Sequence, residues 1–304
     1  MNTPHRRKIP LSLALACALT LALILSGCGG GGTENPGPSP APSTASPAVE
    51  PAPRAPGAAV SGAIEGTSCA VKNNQDVLGG LSFQTSHRIN ARDYGCLIVR
   101  KDAGHPVFDG VESARFEVRD GDCSASTSFD DCPQDRSRHE INETTLEPTQ
   151  GKTLVYMTRV YIPEQARFKP RGKNTLFLTQ LNYVDAAGLY GTLAYLEVAD
   201  NGDLLIRTDR GFSFEIEHQY PVVQNPRGKW IKLAYEVKSS AGPDGYLKVF
   251  VDDLLKVSES RATLPSPVAV NRLRFGIYNV FKSRALEPYL PQVVYFDGIG
   301  KVIR

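Results

Sequence analysis

From Arg115 to the C-terminus the chain places apolar and polar residues in alternation over one short segment after another. Successive side chains of an extended chain point to opposite sides, so a period of two marks a strand with one buried face. ARFEVRD, TLVYMTRVYI, NTLFLTQLNY, LAYLEV, DLLIRTD, KWIKLAYEVK, YLKVFVDD, LRFGIYNV and VVYFDGIGKV all read this way, and all are rich in β-branched and aromatic residues. Turn formers punctuate them at Asp200-Asn201-Gly202-Asp203, Pro226-Arg227-Gly228 and Pro243-Asp244-Gly245. No long amphipathic helix and no internal repeat interrupts the series. The pattern predicts an all-β fold, a two-sheet sandwich or jelly roll. Its core would take Ile231, Leu233, Tyr235 and Val237 from one strand and Leu247, Val249 and Val251 from another. The outer face of one sheet is then free to form a groove.

The first sixty residues are of a different kind. Arg6, Arg7 and Lys8 precede an apolar run from Leu11 to Leu25, the layout of a secretory signal. The run ends in Leu25-Ser26-Gly27-Cys28, which resembles the lipobox of bacterial lipoproteins. That resemblance makes residues 1–28 a lipoprotein signal peptide and Cys28 the lipidated first residue of the mature chain. The alternative is an ordinary signal with an unrelated cysteine. Cys17 fits less well, because Ala14 stands where a lipobox has leucine. Gly29 is not an acidic retention residue, which points to lipid anchoring at the outer membrane of a Gram-negative bacterium. Residues 29–60 are Gly-, Pro-, Ser- and Ala-rich and have almost nothing to bury, so they read as a disordered tether. Residues 61–304 form the folded domain. The formal charge is +2, and removing the three basic residues of the signal leaves −1. A near-neutral domain gives no global reason to bind nucleic acid, so an anionic partner must be met by a local patch. Export makes disulfides the expected state of Cys69, Cys96, Cys123 and Cys132. Of three pairings, Cys69–Cys96 with Cys123–Cys132 is favoured, the second closing a short loop; no C-x-x-C pair suggests zinc.

Three strands carry polar faces that need a reason. Arg136, Arg138, Glu140 and Asn142 share one face, Gln180 and Asn182 another, and Arg274, Gly276 and Tyr278 a third. Each alone is ordinary solvated strand surface.

Four ordered stretches carry a family likeness: RFEVRDGD at Arg115–Asp122; Arg138-His139-Glu140; Gly228-Lys229-Trp230 running into Lys248–Asp252; and Phe275-Gly276-Ile277-Tyr278 with Val294–Ile299. In these the chain resembles the heparinase I-like and glucuronan lyase group of polysaccharide lyases, a concanavalin-like jelly roll related to the alginate lyases, with its substrate groove on the concave sheet. The resemblance implies cleavage of a uronic-acid-containing polysaccharide by β-elimination, leaving 4,5-unsaturated ends. That reaction removes the weakly acidic C5 proton beside a carboxylate and expels the oxygen on C4. Cationic and amide donors on the carboxylate stabilise the enolate-like intermediate, while a base takes one proton and an acid supplies another. By family position the expected catalytic residues are Tyr278, Arg138, Gln180, Asn182 and Arg274. Arg136, Glu140, Gly276 and His139 would bind substrate. Arg274 is expected to lower the phenol's pKa, and Gly276 to make room for a sugar ring.

Asn182 departs from the pattern, since it stands where the family often has histidine and asparagine is no base. Either tyrosine serves as base and acid together, or another histidine supplies the base. His139 points toward the core by alternation, and His87, His105 and His218 fall in expected loops. An inactive, sugar-binding lipoprotein remains as the alternative. A jelly-roll glycoside hydrolase does not fit, for its paired carboxylates are absent. Asp297 is expected to be structural, Trp230 to pack, and Arg115, Glu117 and Arg119 to form a surface ladder. The expected partners are an anionic polysaccharide and a membrane lipid, with no nucleic acid and a monomeric chain. No cofactor is called for, with calcium left open.

Overall fold

Two antiparallel sheets face each other in the computed structural model, which describes residues 64–69, 78–144, 147–166, 168, 176–185, 190–210, 212, 215–284 and 290–304. The signal, Cys28 and the tether lie outside these residues. Ser61–Arg304 is one compact unit, divided from Met1–Val60. The strands are numbered β1 to β15 along the chain. One sheet runs β1 (Thr67–Ser68), β3 (Cys96–Arg100), β4 (Glu112–Val118), β15 (Gln292–Ile303), β6 (Thr153–Tyr161), β11 (Trp230–Lys238), β12 (Tyr246–Val251), β13 (Leu254–Ser260). The other runs β10 (Glu215–Val223), β9 (Leu204–Arg210), β8 (Tyr190–Val198), β7 (Leu176–Val184), β14 (Val270–Val280), β5 (Arg136–Glu143), β2 (Phe83–Thr85). Among the described residues there is no α-helix, and the fold is the expected jelly roll.

The core lies between the sheets and takes the predicted faces of β11 and β12, together with Leu273, Phe275 and Ile277 of β14. Burying these side chains is the main stabilising term. Two polar links cross it. Thr179 and Tyr235 share a hydrogen bond of 2.6 Å. Glu143, fully buried, accepts hydrogen bonds from Tyr156 Oη at 3.0 Å and from Lys301 Nζ at 2.7 Å, so its charge is compensated. The cysteines pair as Cys69–Cys96 and Cys123–Cys132.

The outer faces of the two sheets differ. On β6 and β11 burial alternates with every residue, as one-sided strands require. On β5, β7 and β14 nearly every residue is buried, polar face included. The polar faces of these strands are therefore packed surfaces, and buried polar groups persist only where partners satisfy them.

Gly276 sits where β14 bulges against β7, at φ +140°. A Cβ there would run into the His139 carbonyl and approach the Glu140 Cα to 2.7 Å. The expected role of making room for sugar is thus corrected: the glycine is required by the close approach of the β5 backbone. Gly276→Ala should cost about 3 kcal/mol and lower the Tm by roughly 10 °C, read by thermal unfolding. A variant as stable as the wild type would disprove the close-packing account.

Candidate active site

A cleft of about 940 Å³ lies over the outer face of the second sheet, lined from β2, β5, β7, β8, β9 and β14. Five arginines line it: Arg136, Arg138, Arg207, Arg272 and Arg274. None of its described lining residues is Asp or Glu. A near-neutral domain thus concentrates positive charge in one groove, where low-dielectric walls strengthen its attraction for anions.

The carboxylates sit one layer below and fix the arginines. Asp131, fully buried, accepts Arg138 Nε and Nη2 on its two oxygens at 2.7 Å each, a bidentate pair. Asp131 precedes Cys132, so the Cys123–Cys132 disulfide secures the loop that holds it. Glu140 accepts Gln180 Nε2 at 2.6 Å and lies 3.5 Å from Arg138 Nη1 and 3.6 Å from Arg274 Nη1. One buried carboxylate thereby ties together β5, β7 and β14.

Tyr278 stands between two of these cations. Arg136 Nη1 donates to its hydroxyl at 2.7 Å, and the Arg138 guanidinium lies 3.9 Å from its ring centre. Burial pushes the phenol's pKa up and outweighs the opposing pull of Arg138 and Arg136. The group therefore holds its proton at neutral pH, while both arginines stand ready to stabilise the phenolate left when it gives that proton away.

His87 enters the same cleft from the segment just beyond β2, where the Ser86 amide donates to the Glu140 carbonyl at 2.9 Å. Its ring meets Phe129 edge-on, its Nδ1 lies 3.3 Å from the Ser86 hydroxyl, and its Nε2 is buried without a hydrogen-bond partner. Burial, then Arg138 and Arg274, lower its pKa to about 3 against a smaller opposing effect of Asp130. The imidazole is therefore neutral, with a nitrogen free to take a proton. In an NMR titration the His87 ring signals should stay fixed from pH 8 to about pH 4; a midpoint near the ordinary 6.5 would refute this. The folded state resists a proton that the unfolded chain accepts. The His87 contribution to stability is therefore complete above pH 6.5 and is lost as pH falls toward 3.

Comparison with known proteins assigns the chain. The model of a family described as polysaccharide lyase matches residues 100–300. The chain belongs to the polysaccharide lyase family. No curated protein matches this family member. Among solved structures it is similar to an endo-β-1,4-glucuronan lyase from the fungus Trichoderma reesei, at 14% identity and TM-score 0.51, over 74% of this chain and 92% of that one. The alginate lyase Aly36B matches at 11% identity and TM-score 0.48, over 73% and 86% of the two chains. The family 7 alginate lyase A1-II′ matches at 10% and 0.46, over 63% and 78%.

Within this lyase the expected site residues separate into groups. Tyr278, Arg138, Arg136, Arg274 and Gln180 line the cleft together. Glu140 is 1% exposed, lies beneath the arginines and is not among the cleft's lining residues, so it positions them. Asn182 is fully buried: it donates to Thr192 Oγ1 at 2.7 Å, and Thr192, its partner across the β7–β8 ladder, lines the cleft in its place. His139 faces inward as alternation demands; its Nδ1 lies 2.6 Å from the Glu117 carbonyl, its Nε2 accepts the Arg92 amide at 3.4 Å, and it binds no substrate. The cations beside the Tyr278 phenol are Arg138 and Arg136, whereas Arg274 and Arg272 flank the Tyr190 ring at 5.1 and 5.3 Å. The expected tuning by Arg274 is corrected accordingly, as is its direction, because burial outweighs charge. Arg115 and Glu117 are buried and paired, so they form no surface ladder. Asp297 caps a turn, accepting the amides of Phe108 at 2.7 Å and Gly298 at 2.6 Å. Trp230 packs against Tyr161 at 5.3 Å. Among the described residues no group of three or more His, Cys, Asp or Glu is placed to hold a metal. Asp131, Arg207 and Arg272 were not among the expected site residues; only the adjacent cysteine marked Asp131, and no sequence signal singled out the two arginines.

Proposed function

We propose that this family member cleaves a polyuronate by β-elimination. The observation that carries the reading is that Tyr278 and a neutral His87 enter one cleft with Arg138 and Arg274, with no carboxylate among its described walls. The substrate carboxylate binds Arg138 and Arg274, and their charge stabilises the enolate-like intermediate. His87 Nε2 takes the C5 proton. The C5 electron pair forms the C4–C5 double bond, the C4–O4 bond breaks, and the departing oxygen takes the Tyr278 proton. Solvent then returns a proton to Tyr278 and removes one from His87. Arg138 and Arg274 both depress the His87 pKa, so a carboxylate that neutralises them raises its basicity when substrate is in place. A glycosidase would need two carboxylates flanking the bond.

The test is ultraviolet absorbance of the unsaturated uronate on incubating purified protein with glucuronan, polymannuronate, polyguluronate, hyaluronan and heparan sulfate. A rise with an unsulfated polyuronate is expected; reducing ends without absorbance would mean hydrolysis and overturn the reading. The charged n-region, apolar run and Leu-Ser-Gly-Cys28 sequence support export and lipid anchoring at the outer membrane, with polysaccharide captured outside the cell. Mass spectrometry of the mature N-terminus tests this: diacylglyceryl-modified Cys28 is expected, and an unmodified terminus refutes it.

A further inference from the structure

Five groups lie in register across the second sheet: Asn142 on β5, Arg274 on β14, Gln180 on β7, Tyr195 on β8 and Arg207 on β9. All five line the cleft. The row crosses the strands, and its two arginines stand three strands apart, about 14 Å between backbones. Arg274 belongs to the proposed reacting centre, whereas Arg207 lines the same cleft but takes no role in the proposed reaction. Arg207 is 6% exposed, yet its Nε is buried with no hydrogen-bond partner, and among the described residues Nη2 reaches Asp209 Oδ1 at a long 3.4 Å. Its guanidinium lies 4.2 Å from the Tyr195 ring centre and 4.9 Å from that of Phe177. Phe177 in turn lies 5.9 Å from Tyr278, so an aromatic wall joins the far arginine to the reacting centre.

Resting on the lyase reading, we propose that Arg207, with Tyr195 and Phe177, is a second uronate subsite, and that the substrate is a polymer charged on several units. The polymer runs across the strands. A sugar ring lays its apolar C–H face on the aromatic wall, and Arg207 takes that sugar's carboxylate while Arg274 and Arg138 hold the one being cleaved. Stacking fixes the ring, and the under-used guanidinium supplies the charge that singles out an acidic sugar.

The test compares wild type, Arg207→Gln and Arg207→Lys on glucuronan and on its oligosaccharides of increasing length. Wild-type KM should fall once the oligosaccharide is long enough to reach β9. Arg207→Gln should remove that gain, raising KM for the polymer about tenfold with kcat within about twofold; Arg207→Lys should restore part of it. An equal loss at every length, or none at any, overturns the subsite. Gel electrophoresis through immobilised glucuronan reads the same subsite without turnover. If no polymer yields unsaturated product, the lyase reading fails, yet retardation of wild type that Arg207→Gln relieves still supports the subsite. Equal migration of the two overturns it. Retardation by heparan sulfate alone would assign the site to sulfate and overturn the uronate assignment. Equal melting temperatures of the three proteins are the condition for comparing them.

Discussion

Tyr278→Phe should lower kcat about a thousandfold while leaving KM within a few-fold, the scale expected when a positioned proton donor is lost. The substitution removes one oxygen from a ring packed against Phe177 and Arg138, and that packing stays. What goes is the proton for the departing oxygen, together with the acceptor of the Arg136 hydrogen bond at 2.7 Å. An uncapped alkoxide is a poor leaving group, so the loss belongs to the chemical step. The measurement is the rate of absorbance from unsaturated uronate at saturating polymer. Retention of more than a tenth of wild-type kcat would exclude Tyr278 as the acid.

Arg138→Lys should be almost as severe in kcat/KM, falling about a hundredfold or more, although the charge is kept. Arginine at this position does three things at once: it grips Asp131 through two nitrogens, lies beside Glu140, and covers the Tyr278 ring. A lysine reaches one of these partners at a time. It leaves a buried carboxylate undercompensated, at a cost of about 3 kcal/mol in stability. Asp131→Asn separates the two effects, because it preserves Arg138 while weakening the grip that aims it. We expect an intermediate loss in kcat/KM with a smaller fall in Tm. If Asp131→Asn left kinetics untouched, the account of Arg138 as a group aimed from below would be wrong. A lysine variant with full activity would show that charge alone suffices.

The two variants probe different layers of the site. In the proposed reaction Tyr278 touches the reacting atoms, whereas Asp131 and Glu140 act through the arginines they hold. Placing carboxylates one layer down lets the cleft hold five cations without an acid among its described lining residues. Their mutual repulsion is offset from below, and the field facing the substrate stays positive.

Much of this was legible in the chain. Alternation alone assigned Leu273, Phe275 and Ile277 to the core and Arg274 and Tyr278 to the opposite face, because side-chain direction along a strand is a local property. The same rule turned His139 inward. The expected export, the cysteine count and the short Cys123–Cys132 loop limited the disulfide pairing. Alternation gave no information about neighbours across the sheet. Arg136 and Tyr278 are 142 residues apart, and they meet because core burial sets β5 beside β14. His87 lies beyond the last residue of an edge strand, where periodicity stops, and only the packing of that segment against Glu140 brings its ring into the cleft. Gly276 offered two readings, and backbone geometry at the bulge chose between them. Asn182 faced the right way, but its cross-strand partner Thr192 covers it. The sequence by itself thus determined the strands, their buried faces and the residue types available for the chemistry. The order of strands in the sheet, the side chain that covers its neighbour, and the histidine that reaches the cleft were decided only by the tertiary structure, because those choices depend on contacts between segments far apart in the chain.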